Sequence, residues 1–153
     1  MRGALLALAH GPRRIDGARP LLFERLLEPD RPSVLDAPGL EQATAARLEA
    51  LLATQAPVSA AGLPASARRV IDYGAGPKPG WTPAGDGDRR RLAEEIRAAV
   101  TAFEPRLSEP AVEIEPDPDA PDGLRLRIAG IMRLGRMAEP FRFIAPLAAG
   151  AVR

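Results

Sequence analysis

The stretch VEIEPDPDAPDGLRLRI, residues 112–128, decides the fold, because two alternating runs flank a segment rich in turn-forming residues. Apolar and acidic residues alternate over 112–115, and apolar and basic residues alternate over 124–128. A period of two is typical of a strand with one face on a core and the other in solvent. The intervening segment consists almost entirely of Pro, Asp and Gly, which favour turns. We therefore predict an antiparallel hairpin in which two glutamates on one strand meet two arginines on the other.

Helical periodicity precedes the hairpin. The clearest helix is predicted from Asp88 to Phe103, where apolar residues recur at helical spacing and Pro105 disfavours continuation. Two further amphipathic helices are predicted at residues 21–28 and 40–55. The predicted helices thus lie on the N-terminal side of the predicted strands.

A weaker helix is predicted at residues 64–73. Its apolar residues Val70 and Ile71 are expected to point inwards. The following segment, residues 75–87, is so rich in Pro and Gly that we predict a long loop. It contains the single tryptophan, Trp81, which either covers the core or anchors a partner.

A third strand completes the predicted sheet. Phe141 and Phe143 alternate with Arg142. The three strands are expected at residues 112–115, 124–134 and 141–145. Helices followed by strands indicate an α+β fold. We predict N-terminal helices followed by a small three-stranded antiparallel sheet packed on the main amphipathic helix.

The composition removes most classes of catalytic site. The chain has 153 residues, no Cys and one His, His10. Thiol nucleophiles, Cys-based metal sites and sites with two His ligands are therefore excluded. We expect no cofactor and no metal, which leaves carboxylate chemistry or no chemistry at all.

Charge and aromatic content argue against nucleic acid as a partner. The formal net charge is +1 and aromatic residues make up 4% of the chain, too few for a platform on which bases stack. The apolar run from Ala4 to Ala9 is too short to span a membrane. We expect a cytoplasmic protein that does not bind nucleic acid, insert into a membrane or act on a small-molecule substrate.

Several segments together resemble a known family. The string FEPRL, residues 103–107, ends an amphipathic helix and precedes the two alternating strands. In this it resembles the baseplate wedge family of contractile injection machines, and is similar to TssE of bacterial type VI secretion systems. Further matching strings are LLFERLL at 21–27, PSVLDAPGL at 32–40, LEALLAT at 48–54 and RRVIDYG at 68–74. The resemblance covers about residues 20–150, although AGPKPGW after Tyr73-Gly74 departs from the family wording.

The resemblance implies a structural role and no enzymatic activity. Members join the baseplate wedge to the contractile sheath, and their fold resembles the interlocking domain of the sheath, whose sheet edges receive strands from other subunits. The implied partners are wedge subunits of the TssF, TssG and TssK type and sheath subunits of the TssB and TssC type. The implied location is a cytoplasmic baseplate assembled at the inner membrane.

The resemblance also implies two sets of binding residues. The corner Glu104-Pro105-Arg106 is expected to direct both charges outwards, so that Arg106 pairs with a carboxylate of a wedge partner and Glu104 with a partner arginine. The residues expected on sheath-facing strands are Leu124, Arg125, Leu126, Arg127, Ile128, Phe141, Arg142 and Phe143.

The domain organisation predicted from these observations is simple. Residues 1–19 are expected to form a flexible arm and residues 20–150 a single baseplate wedge domain. Three alternatives stay open. The first alternative is a baseplate protein of a related phage tail or tailocin. The second is a peptidoglycan hydrolase that uses two carboxylates, and the third is an adaptor domain that shares only the α+β pattern.

Overall fold

The computed structural model describes part of the chain, and two helices and three strands lie within that part. The described residues are 19, 25–26, 30, 34–75, 83, 85–119, 123–134 and 137–147. The helices are α1 (Ala37–Ala53) and α2 (Asp86–Phe103), and the strands are β1 (Leu107–Pro116), β2 (Leu124–Leu134) and β3 (Met137–Pro146). The helix predicted at residues 21–28 lies outside the described residues except for Arg25 and Leu26, which are helical. Of the predicted arm, only Arg19 is described.

Helix α1 begins where its sequence provides a cap. The side chain of Asp36 accepts a hydrogen bond of 2.9 Å from the backbone N–H of Gly39, which satisfies one of the free donors of the first turn. Along the helix, Leu40, Leu48 and Leu51 are buried. The helix predicted at 40–55 is therefore confirmed, with a start that lies further towards the N-terminus.

Helix α2 carries the main apolar face of the molecule. It begins at Asp86, two residues before the predicted start, and its residues Leu92, Ile96 and Val100 are buried. At its C-terminus the N–H of Glu104 donates to the carbonyl of Val100 over 2.8 Å. This face packs on the sheet, so the prediction of a sheet packed on the main amphipathic helix is confirmed.

The prediction of a helix at residues 64–73 is wrong. The chain forms short 3₁₀ turns there, Ala65–Ala67 and Val70–Asp72. Asp72 is buried, and its carboxylate accepts from the N–H of Arg69 at 3.0 Å and from the hydroxyl of Ser59 at 3.1 Å. Because this polar side chain takes the inward position, Val70 and Ile71 point outwards, with exposed fractions of 87% and 79%.

The three strands form an antiparallel sheet in the order β1-β2-β3. Val112 pairs with Ile128, which pairs with Phe143, so the apolar residues of all three strands share one face. That face meets the helices in the core. The largest fully buried apolar side chains are Leu40, Leu48, Ile96, Val100, Leu126 and Ile128. The predicted α+β fold class is confirmed.

The other face of the sheet carries a ladder of opposite charges. Glu113 lies opposite Arg127 and Glu115 opposite Arg125. Arg127 contacts Glu113 at 2.7 Å and Glu115 at 2.6 Å, and Glu115 and Glu113 together raise the pKa of its guanidinium. Arg125 turns instead to Asp117 at 2.7 Å. The predicted hairpin is confirmed, while the pairing differs because one arginine serves both glutamates.

Gly74 fixes the segment that follows α1 onto the end of that helix. Its φ is +130°, and a Cβ there would lie 2.7 Å from the carbonyl oxygen of Gln55. The next residue, Ala75, donates its N–H to the carbonyl of Leu51 at 3.0 Å. Only a residue without a side chain allows this close approach of two backbones.

We expect Gly74→Ala to lower the free energy of unfolding by about 2 kcal/mol, because the new methyl group meets backbone atoms and the positive φ strains it. The measurement is chemical denaturation of the purified chain. Gly87→Ala is the matched control, since a Cβ at Gly87 meets no atom within 4 Å, and we expect it to stabilise by about 0.5 kcal/mol. Equal stability of the two variants would contradict this account of Gly74.

Candidate functional site

The corner between α2 and β1 is a tight, internally bonded turn. The carbonyl of Glu104 accepts from the N–H of Leu107 at 3.1 Å. Its side-chain Oε1 accepts from the N–H of Arg106 at 3.3 Å. Pro105 lies between them and is exposed, and its fixed φ restricts the backbone at this position. The direction in which the chain leaves the helix is therefore set by Glu104 itself.

Glu104 is buried, with 1% of its surface exposed. Its Oε2 lies 2.6 Å from Nε of Arg47 on α1. The same guanidinium donates through Nη2 to the carbonyl of Phe103 over 2.8 Å. Our expectation that the corner directs the charge of Glu104 outwards is thus wrong. This carboxylate ties α1 to the end of α2.

Arg106 connects the corner to two other parts of the chain. Arg106 is half-buried, and its Nη2 donates to the carbonyl of Arg19 at 3.0 Å. Its own carbonyl accepts from the N–H of Arg133 at 3.0 Å. The corner therefore joins the end of α2, the far end of β2 and a residue near the N-terminus.

The residues predicted on sheath-facing strands divide between the two faces of the sheet. Those buried on the core face are Leu124, Leu126, Ile128, Phe141 and Phe143. Arg125, Arg127 and Arg142 lie on the opposite face. The strand β2 is paired along both of its edges, so it has no free backbone edge for a further strand. Within the described sheet, only β1 and β3 have one open edge each.

Prolines divide both open edges in the same way. In β1, the five residues Ala111–Glu115 lie between Pro110 and Pro116. In β3, the five residues 141–145 lie between Pro140 and Pro146. Proline has no N–H to donate and occurs in sheets mainly on edge strands. Each edge thus offers one proline-bounded window of five residues for pairing with another chain. The Pro-x₅-Pro spacing is visible in the sequence, whereas the residues that we predict on sheath-facing strands all lie on β2 and β3.

An open groove of about 410 Å³ lies between α2 and the free edge of β1. We call it the α2–β1 groove. Its lining residues are Asp86, Arg89, Arg90, Ala93, Val112, Glu113, Ile114, Glu115 and Pro116. Asp86 and Arg89 form an ion pair. Among the described residues, Arg90 has neither a hydrogen bond nor an ion pair that would occupy its guanidinium, and it is exposed.

The described residues contain no group of three or more His, Cys, Asp or Glu side chains that is arranged to hold a metal ion. None of their helices has the length and apolar character required to cross a membrane.

Together, the two described helices, the small sheet and the bonded corner between them form an α+β domain. The comparison with protein families identifies which one. The family model of "Baseplate wedge protein gp25" matches residues 39–136, from the first turn of α1 to the connection between β2 and β3. The chain belongs to this family of structural baseplate proteins. No curated protein and no solved structure matched.

We expect Arg47→Ala to lower the free energy of unfolding by about 3 kcal/mol, because it leaves the carboxylate of Glu104 buried without its partner. In a chain that already carries Glu104→Gln, the same change is expected to lower it by less than about 1 kcal/mol, since no buried charge remains. Chemical denaturation of the four chains of this double-mutant cycle is the measurement.

The control for this cycle is the exposed ion pair of Glu94 and Arg97, in which Nη2 of Arg97 lies 2.6 Å from Oε2 of Glu94. Arg97→Ala is expected to change stability by less than about 0.5 kcal/mol, because water already solvates both charges. If Arg47→Ala is as mild as Arg97→Ala, the ion pair at the corner does not hold the helices together.

Proposed function

We propose that this chain is a TssE-type baseplate wedge subunit of a bacterial type VI secretion system, which connects the wedge to the contractile sheath by strand addition. The observation that carries the proposal is a family-matched sheet with an open, proline-bounded edge on each side. Unpaired N–H and C=O groups along such an edge can be satisfied by an incoming strand. A sheath subunit supplies that strand.

The corner supplies the second attachment in this proposal. Pro105 and Arg106 form the surface that meets wedge subunits of the TssF, TssG and TssK type. Arg106 donates to the carbonyl of Arg19, and a carboxylate of a wedge partner meets its guanidinium at this corner. Glu104 is buried and does not touch the partner in this proposal, but it fixes the backbone conformation of the corner.

The proposed setting follows from these attachments. The sheath partners are of the TssB and TssC type, and the subunit acts in the cytoplasm, within a baseplate assembled at the inner membrane. The alternative setting is the baseplate of a phage tail or tailocin, in which the same two attachments, to sheath and wedge, are made. Genes for sheath, tube and spike beside the gene for this chain, together with those for the other secretion subunits, distinguish the two.

The arrangement of carboxylates supports a role without catalysis. A two-carboxylate glycosidase needs one acid in an apolar environment that raises its pKa. The buried carboxylates among the described residues are instead engaged: Glu104 by Arg47, Asp72 by Ser59 and Asp117 by Arg125. We therefore propose that the chain hydrolyses no glycan.

Peptidoglycan tests this last proposal directly. We expect a turbid suspension of purified peptidoglycan to keep its absorbance when the chain is added at micromolar concentration, with an active muramidase as the positive control. A steady fall in absorbance that is lost when the chain is heat-denatured would establish the hydrolase alternative.

For the corner, we expect Arg106→Ala to weaken co-purification with the other wedge subunits by at least about tenfold, as arginines at the centre of interfaces commonly do. Arg97→Ala is the matched control, because it removes an arginine from the exposed surface of α2 away from the corner. Thermal unfolding of both variants shows whether the fold is retained. Wedge assembly by a folded Arg106→Ala variant at the wild-type level would refute the docking role of the corner.

A further inference from the structure

The two open edges of the sheet differ in how far their core-facing side chains are already covered. On β3, Phe141 and Phe143 are 4% and 7% exposed. On β1, Val112 and Ile114 are only half-buried. A strand added beside β3 therefore gains little further apolar burial on the core side, whereas a strand beside β1 covers the remaining surface of Val112 and Ile114.

The α2–β1 groove provides the space for that burial. Helix α2 ends at the corner from which β1 runs back, so the N-terminal half of the helix lies beside the C-terminal half of the strand. A strand paired with Ala111–Glu115 lies about 4.8 Å from β1 and directs every second side chain to the side of the helix. Those side chains enter the groove, next to Val112, Ile114 and Ala93.

The charges in the groove differ in whether they already have partners. The ion pair of Asp86 and Arg89 is complete within α2. Arg90, one residue further, lines the groove and is exposed. A carboxylate on the incoming strand at this end can form a bidentate pair with Arg90.

We propose that β1, and not β3, receives the sheath strand, and that this strand is an extended segment with apolar residues at alternate positions and a carboxylate next to Arg90. The proposal rests on the proposed attachment to the sheath and specifies its edge and its chemistry. The proline-bounded window sets the length of the pairing, Val112 and Ile114 bind the apolar side chains, and Arg90 fixes the direction and register of the strand.

The absence of cysteine from the chain allows a test with single introduced thiols. Ala111→Cys and Arg142→Cys form a matched pair, because both positions are exposed and both pair with Ala129 from opposite sides. Each variant is labelled with benzophenone maleimide, mixed with the purified pair of sheath subunits and irradiated. We expect the variant labelled at position 111 to cross-link to the sheath subunits and the variant labelled at position 142 to give no cross-links.

Each other outcome overturns a defined part of the proposal. Cross-links from position 142 alone, or equally from both positions, overturn the assignment to β1 but leave strand addition standing. Binding without cross-links from either position overturns strand addition itself. Cross-links from position 111 to a second copy of the chain, or to its own residues 1–18, assign the groove to another occupant. Failure of the unlabelled wild-type chain to bind the sheath subunits overturns the proposed function instead.

The charge is tested separately. We expect Arg90→Glu to weaken binding of the sheath subunits by about tenfold, since it places like charges together in the groove. Arg91→Glu is the matched control, because Arg91 is also exposed on α2 but does not line the groove, and we expect it to leave the affinity unchanged. Thermal unfolding verifies that both variants are folded. Equal effects of the two substitutions would show that Arg90 does not recognise the strand.

Discussion

The ion pair between Arg47 and Glu104 is the contact on which the arrangement of the other elements depends. It joins the middle of α1 to the residue that ends α2. Because Glu104 also binds the N–H of Arg106, the same carboxylate sets the path along which the chain enters β1. One buried carboxylate and its partner therefore contact both helices and the start of the sheet. Such a pair contributes little net stability compared with apolar packing, but it tolerates few alternative arrangements.

The two faces of the sheet stabilise the fold, whereas its edges are available for binding. The core face holds the apolar rows, such as Val112, Ile128 and Phe143. The opposite face is held in register by Arg127, which binds two glutamates of β1. In the described part of the sheet, the backbone groups without a neighbouring strand lie along the outer edges of β1 and β3. An attachment through the edges leaves the folded core of the subunit unchanged.

Much of this fold was predictable from local pattern. Alternation in 112–115 and 124–128 predicted the hairpin because side-chain periodicity reflects burial directly. The ion pair of the corner was not predictable, since the chain has 20 arginines among its 21 basic residues and nothing local distinguishes Arg47 from the rest. Hydropathy predicts that Val70 and Ile71 point inwards, whereas the hydrogen bonds of Asp72 decide the direction of that turn. Both errors concern polar groups that bond across the fold, which periodicity does not register.

The prolines at the ends of each window also limit where an added strand can lie. Along an uninterrupted edge, strands slip by two residues and keep their faces, so several registers have similar energy. A slip in either direction along Ala111–Glu115 places a residue of the added strand opposite Pro110 or Pro116, where no donor is available. The two prolines therefore favour a single register for a strand added at this edge. Every copy of the chain that binds a strand at this edge would thus hold it in the same register.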